Sequence, residues 1–299
     1  MSAIYDDLLS VLSPLARDLA TNLSAWTDNQ PAYLDRVSPA RTLSISLTDH
    51  CCEQNCAHCN GHYLKGMQKL SKLQTDSMNA YDAVLISGGS SRTGSVPIAE
   101  HLETILALPE HLQLNLHPGY QPVEPLLPLK KRKPVISFDL PGSNEVIKNI
   151  FKLPYEVEDY RKLFTSYAKH FETTPHICIG INEGRDSGEE STLDFLAEQP
   201  VKQAVFIIFR PTPGTELAET PPPELRRVYK VFNHARSRLK SQLLLGCMRP
   251  AGTYRRDIDI LAWLSGIRKI VQPHHDLIKI LEHHRIQINE HKNCCALNF

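Results

Sequence analysis

Apolar residues in this chain recur in short β-type runs at 43–48 (LSISLT), 82–87 (DAVLIS), 112–117 (LQLNLH) and 134–139 (PVISFD). Four more follow at 176–181 (HICIGI), 203–209 (QAVFIIF), 241–246 (SQLLLG) and 267–272 (IRKIVQ). Most intervals between them hold enough chain for a helix, as at 97–107, 155–171, 190–198, 222–239 and 254–265. Strands alternating with helices imply parallel pairing. Eight such strands suit a (β/α)8 barrel of TIM type, usually about 250 residues; a doubly wound open sheet is the alternative. Ahead of them, Ile4, Leu8, Val11, Leu12, Leu15 and Leu19 step by three and four residues, an amphipathic helical opening. Ser13-Pro14 within it can start a fresh helix, with Ser as cap and Pro in the first turn. The division expected is an N-terminal helical extension at 1–40, the barrel at 41–275, and a C-terminal helix with a cysteine-bearing tail at 276–299.

Special residues cluster just after the expected strands. Cys51 to Cys59 follow the first, Gly88-Gly89 the second, Pro118-Gly119 the third and Pro141-Gly142 the fourth. Pro211 to Thr215 follow the sixth and His274-His275 the eighth. Cys178 lies within the fifth strand and Cys247 just after the seventh. Carboxyl ends of barrel strands converge on one face, where active sites form. Cysteines far apart in sequence can therefore meet in space.

Composition narrows the chemistry. Lys plus Arg and Asp plus Glu number 33 each, a balance that argues against nucleic-acid binding. No apolar run approaches the roughly 18 residues of a membrane span. Asp6 and Asp7 stand where a signal peptide is basic, so a cytoplasmic setting is expected. Thiols there stay reduced, which turns clustered cysteines toward metal or redox chemistry rather than disulfides.

The chain holds 8 cysteines, four of them in "CCEQNCAHCN". Cys52, Cys56 and Cys59 have C-x3-C-x2-C spacing, short enough to wrap three thiolates around one corner of a cubane. One iron then lacks a protein ligand. Two alternatives share the segment. Cys52, Cys56 and Cys59 with His62 make a Cys3His zinc set. Cys51, Cys56 and Cys59 give C-x4-C-x2-C, a ferredoxin-type spacing that needs a fourth cysteine nearby, and none occurs between Cys59 and Cys178.

The stretch "SLTDHCCEQNCAHCNGHYLKGM" followed by "LISGGSS" resembles the radical SAM superfamily. "HICIGINEGRDSGEE" and "FIIFRPTPGTEL" resemble its biotin synthase and lipoyl synthase branch, over about residues 42 to 275. The resemblance implies a [4Fe-4S] cluster held by Cys52, Cys56 and Cys59, which binds S-adenosyl-L-methionine and releases a 5′-deoxyadenosyl radical. It implies that Gly88, Gly89 and Ser90 contact the methionine part of that cofactor, Ser90 standing where the superfamily commonly has an acidic residue. Asp139 is placed like the residues that hold the ribose; a helix cap is its plainer role. "CEQNCAHCNGHYLKGM", "PHICIGI", "LGCMRPAG" and the terminal "CCAL" resemble, more narrowly, the biotin-synthase-like partner proteins of two-protein lipoyl synthases. That implies a sulfurtransferase acting on a protein-bound octanoyl chain. An auxiliary [4Fe-4S] cluster on Cys178, Cys247 and one or both of Cys294 and Cys295 would be consumed as sulfur donor. The implied partners are a companion lipoyl synthase protein, an octanoylated lipoyl-carrier protein and a low-potential electron donor.

Plainer readings stand beside these. Cys178 alone suits a small buried apolar residue. The tail pair can be an exposed redox thiol, and adjacent cysteines fit poorly on one cubane, so one is expected to bind and the other to be spare. The basic run Lys130, Lys131, Arg132 and Lys133 is a solvated face or a docking surface for an acidic carrier. His283-His284 read as helix surface and His274-His275 as a pocket edge. Asn115 and His117 alternate on one strand and can both face inward. The rivals to sulfur insertion are a radical enzyme with a single cluster and a non-enzymatic iron–sulfur or zinc protein.

Overall fold

The computed structural model describes residues 3–21 and 32–297. Its centre is a wholly parallel sheet, eleven-stranded among the described residues. In chain order the strands are β1 (Tyr33–Val37), β2 (Thr42–Ser46), β3 (Gln68–Lys69), β4 (Ala83–Ser87), β5 (Gln113–Leu116) and β6 (Val135–Asp139). Then come β7 (Glu172–Ile179), β8 (Gln203–Ile208), β9 (Gln242–Leu245), β10 (Lys269–Val271) and β11 (Gln287–His291). Their lateral order is β11-β1-β10-β9-β8-β7-β6-β5-β4-β2-β3.

All eight strands expected from the apolar pattern are present, as β2 and β4 to β10, and they neighbour one another in sequence order. A doubly wound sheet would reverse direction at a switch point; none occurs here. The sheet is a curled barrel of TIM type. β10 pairs not with β2 but with β1, which also pairs β11. The sheet thus reaches beyond the expected 41–275 span at both ends. YLDRV and QINEH alternate too weakly to read as core strands, and they lie at or next to the sheet edge.

The helices are α1 (Ala3–Val11), α2 (Pro14–Thr21), α3 (Leu102–Leu106), α4 (Val157–His170), α5 (Glu189–Ala197), α6 (Leu225–Arg238), α7 (Gly252–Leu264) and α8 (His275–His283). The opening helix does break at Ser13-Pro14, where the Ser13 hydroxyl accepts from the Ala16 amide at 3.4 Å; positions 22 and 23 of the predicted helix lie outside the described residues. α6 shows why the outer layer packs. Leu225, Val228, Tyr229, Phe232 and Ala235 recur at helical spacing and are buried. They join one continuous core with the outward residues of the strands, such as Ile177, Ile179, Phe206 and Ile208. Alternate strand residues must then face the barrel interior. That set includes Asn115, Ser137, Asp139, Thr174, His176 and Cys178.

β7 starts at Glu172, four residues before the expected start. Pro175, which cannot donate to a ladder, lies inside the strand. The strand accommodates it opposite Phe138, losing a single donor. Among the described residues, no helix is long and apolar enough to cross a membrane.

Candidate metal centre

The cysteine loop leaves the carboxyl end of β2. Thr48 organises its start: the hydroxyl donates to the Cys51 carbonyl at 2.7 Å and accepts from the Gly89 amide at 2.6 Å. Asn55 and Asn60 take left-handed conformations (φ 53° and 41°), which asparagine tolerates better than most residues. Neighbouring strands hold the loop through backbone groups. The Ser90 carbonyl accepts from the Glu53 and Gln54 amides at 2.9 and 3.2 Å, and the Ala57 amide donates to the Ile150 carbonyl at 2.9 Å.

This accounts for Gly89. A Cβ built there would lie 1.8 Å from the Cys51 carbonyl oxygen and 2.6 Å from the Cys52 Cα. The close approach that only glycine permits is made by the cysteine loop itself. At Gly88 the nearest atoms, of Thr48, are at 3.3 Å, a tight but milder contact.

The three expected thiols hang on this frame. Cys52 Sγ donates to the Ser90 carbonyl and Cys56 Sγ to the Phe151 carbonyl, both at 3.8 Å. Cys56 is buried, and it shares a hydrogen bond with Cys59. That bond, with the nearby His58 ring, pulls Cys59 well below the usual thiol range; the same bond and burial push Cys56 up. The ligand atoms of Cys56, His58 and Cys59 all lie within 4.8 Å of one another. His58 Nδ1 is buried without a hydrogen-bond partner. Two cysteine sulfurs and a buried ring nitrogen form a donor set that fits a thiophilic metal, with the third expected thiol, Cys52, outside that group. His62, the histidine of the expected zinc set, is not in that group; its ring stands edge-on to Tyr63. The histidine that is there, His58, lies between two of the cysteines in sequence.

Asp139 ends β6 with its side chain exposed, in register with His176. No capping bond from it is seen; the next helical turn is opened by Ser143, whose hydroxyl accepts from the Val146 amide. His117 and His176 face each other, rings 5.3 Å apart. Burial holds both below the usual histidine range, His117 down to about 4, although the Asp139 charge opposes this. Both rings are therefore neutral near pH 7. His176 Nδ1 lies 3.2 Å from the Thr174 carbonyl. A carbonyl can only accept, so Nδ1 carries the proton and Nε2 is left as an acceptor. His176 escaped the sequence reading, although it sits two positions before Cys178 on the same strand face.

Cys178, at the level of Ile207 on β8, packs against the cluster of Ala57, Val146, Ile150, Ile181, Phe209 and Leu217. Ala57 adjoins Cys56, so Cys178 stands beside the first loop. Gly246, next to Cys247, also abuts Ile207: a Cβ there would meet its side chain at 2.8 Å. Cys178 and Gly246 therefore flank β8 at one level, with Cys247 one residue further on. The loop bearing Cys247 is anchored by Arg249, whose guanidinium is fully buried. It grips Asp259 at 2.7 and 3.0 Å and donates to the carbonyls of Gly246 at 2.6 Å and Val271 at 2.8 Å. Sequence reasoning missed this pair, because Asp259 sits in the middle of an apolar helix with no motif around it.

The tail does not hang free. The Arg41 amide donates to the Lys292 carbonyl and the Cys294 amide to the Thr42 hydroxyl, at 2.9 and 2.8 Å. Gln203 and Lys269 donate to the Ala296 and Leu297 carbonyls. Leu297 packs on Ala83 and Val135. Thr42, Ala83, Val135, Gln203 and Lys269 are the first residues of their strands, so the tail closes the amino end of the barrel. Cys294 points inward, toward Asn115, while Cys247 is exposed on the loop after β9. The tail pair thus packs at the amino end of the barrel, while Cys178 stands beside the first loop.

The other candidates resolve plainly. Arg132 donates to the carbonyls of Leu106, Leu108, Pro109 and Leu112, so the basic run is partly a structural clamp. His274 caps α8, accepting from the Asp276 amide. His284 ties α8 to Asp7 of α1 at 2.7 Å.

No protein-family model matches the chain, and a search of curated proteins finds no match. Among solved structures the chain is similar to methylornithine synthase (PylB), with a TM-score of 0.60 and 11% identity over 96% of this chain and 97% of that one. A multifunctional pyruvate carboxylase from Rhizobium etli matches at a TM-score of 0.41 and 11% identity, over 94% of this chain and 30% of that one. The first likeness, which spans nearly the whole of both chains, is one of fold.

Proposed function

We propose that this chain is a radical SAM enzyme of the sulfur-inserting kind, one component of a two-protein lipoyl synthase. One observation carries the reading: three cysteines on one braced loop at the carboxyl mouth of the barrel, with the sulfurs of Cys56 and Cys59 within 4.8 Å of each other. No disulfide consumes them. The fold shared with methylornithine synthase supports it.

Cys52, Cys56 and Cys59 would hold the cluster, Gly88, Gly89 and Ser90 the methionine part of S-adenosyl-L-methionine, and Asp139 the ribose. When bound, cluster and cofactor together supply a 5′-deoxyadenosyl radical able to take hydrogen from an unactivated methylene. The residues of the chain need not move protons at that carbon. The interior agrees with this: His117 and His176 are neutral, and Asp139 is the carboxylate whose charge reaches them. Cys247, Cys178 and the tail thiols would hold the auxiliary cluster that gives up sulfur. A companion protein, an octanoylated carrier and a low-potential electron donor complete the system.

The experiment is to incubate the anaerobically reconstituted chain, with and without its companion, on an octanoylated lysine peptide and weigh the product. The expected result is a gain of one sulfur that depends on S-adenosylmethionine. A peptide of unchanged mass, with 5′-deoxyadenosine still formed, would favour a radical enzyme with a single cluster.

A second reading rests on a specific observation. Cys56, His58 and Cys59 are spaced within 4.8 Å, close to the roughly 3.8 Å ligand separations of a tetrahedral zinc site with 2.3 Å Zn–S bonds. Zinc bound without acid-labile sulfide would favour that alternative.

A further inference from the structure

The two tail cysteines pack against one apolar cluster but differ in what their sulfurs reach. Cys295 is 7% exposed and belongs to that cluster, with Val37, Val205, Leu244 and Val271. Cys294 Sγ instead accepts a hydrogen bond from Asn115 Nδ2 at 3.3 Å.

Asn115 is built for that contact. It is completely buried, in the middle of β5. Its amide oxygen is occupied by the Ser137 hydroxyl at 2.8 Å, which is itself buried on the neighbouring strand. With Oδ1 engaged from β6, the NH2 group is directed at the sulfur, and a flipped amide would turn an oxygen toward a thiolate. The tail's backbone is fixed separately, by Thr42, Gln203 and Lys269. The sulfur's position is thus set from two sides, by its own chain and by a polar pair on the barrel wall. A buried amide that donates to a thiol has weak reason to be there, since a thiol sulfur is a poor acceptor. A thiolate bound to metal is a far better one.

We propose that Cys294, and not Cys295, is the tail's ligand to the auxiliary cluster, and that Asn115, braced by Ser137, is the positioning residue that presents it. This rests on the sulfur-insertion reading, since it needs a second cluster. Hydrogen bonds to ligand sulfur stabilise the more reduced, more negative state of an iron–sulfur cluster and so raise its potential. Asn115 therefore sets the potential of the second cluster as well as the place of its ligand.

The test uses the full chain, reconstituted anaerobically, with iron and sulfide counted and both clusters titrated by spectroelectrochemistry. The unsubstituted chain is expected to carry about eight irons, as two four-iron clusters. Cys294→Ala and Cys247→Ala are expected to retain about four, and Cys295→Ala all of them. Asn115→Ala is expected to keep its iron while the second midpoint moves to more negative potential and the first stays put. Ser137→Ala, which leaves the donor but frees its direction, should move it the same way by less, and it covers the case in which Asn115→Ala folds poorly. Loss of iron from Cys295→Ala with Cys294→Ala intact would overturn the ligand assignment while the second cluster stood. A second midpoint unmoved in both the Asn115 and Ser137 variants would overturn the positioning role. Only one cluster in the unsubstituted chain would sink the sulfur-insertion reading and this proposal with it.

Discussion

Gly89 shows how much one hydrogen atom can decide. The loop that carries the three thiols passes so close to it that a Cβ would overlap the Cys51 carbonyl. Gly89→Ala must displace the loop, at a cost of about 1–3 kcal/mol for overpacking. Gly66 is a fair control, for a Cβ there meets nothing within 4 Å. We expect Gly89→Ala to lower iron retention and S-adenosylmethionine cleavage at least about tenfold, equivalent to about 1.4 kcal/mol, and Gly66→Ala to leave both unchanged. Equal behaviour of the two variants, measured by iron content and product formation, would contradict the packing account. The sequence displayed the pair Gly88-Gly89 but not what needed the space. A motif reading assigned it to an incoming ligand; at Gly89 the chain's own backbone also needs that room. His58 teaches the same lesson, since spacing favoured His62 as a zinc ligand while the turn brought in the residue between the cysteines.

At the scale of elements, each inner loop is set by something behind it. The segment after β9 owes its course to Arg249 and Asp259, a pair with no solvent exposure of either side chain. Asp259 also accepts from the His274 amide at 2.7 Å, so one carboxylate joins the ends of β9 and β10. Removing one member of a buried pair leaves an uncompensated charge, which typically costs 3–5 kcal/mol. Arg249→Met should therefore destabilise the metal-free chain by about 3 kcal/mol in urea unfolding, and Arg236→Met, on the half-exposed side of α6, by less than about 0.5 kcal/mol. An Arg249→Met chain as stable as the original would refute the anchoring role. The strands themselves were legible, because eight runs of alternating or wholly apolar residues have few other uses. β1 and β11 were not, since a place at or next to the sheet edge lets polar residues outnumber apolar ones. The buried pair was invisible for a different reason: nothing local marks a charge whose partner lies across a loop.

Over the whole molecule, the barrel has two differently closed ends. The cysteine loop crosses the carboxyl mouth, and the tail fills the amino mouth, so thiols from residues 52 and 294 face one interior along opposite directions. Parallel strands in sequence order made that convergence foreseeable, since every loop after a strand ends on one face. That the tail enters from the other face was not foreseeable, because its direction depends on β11 pairing with β1 rather than on any property of "CCAL". The central claim is that Cys52, Cys56 and Cys59 hold an iron–sulfur cluster open to S-adenosylmethionine. The most direct measurement is 5′-deoxyadenosine released by the anaerobically reconstituted chain under a strong reductant, for the unsubstituted protein and for each cysteine changed to alanine. The account predicts product together with methionine from the unsubstituted chain and none from any of the three variants. Bound zinc without sulfide, or 5′-deoxyadenosine formation that survives loss of one of those thiols, would contradict it.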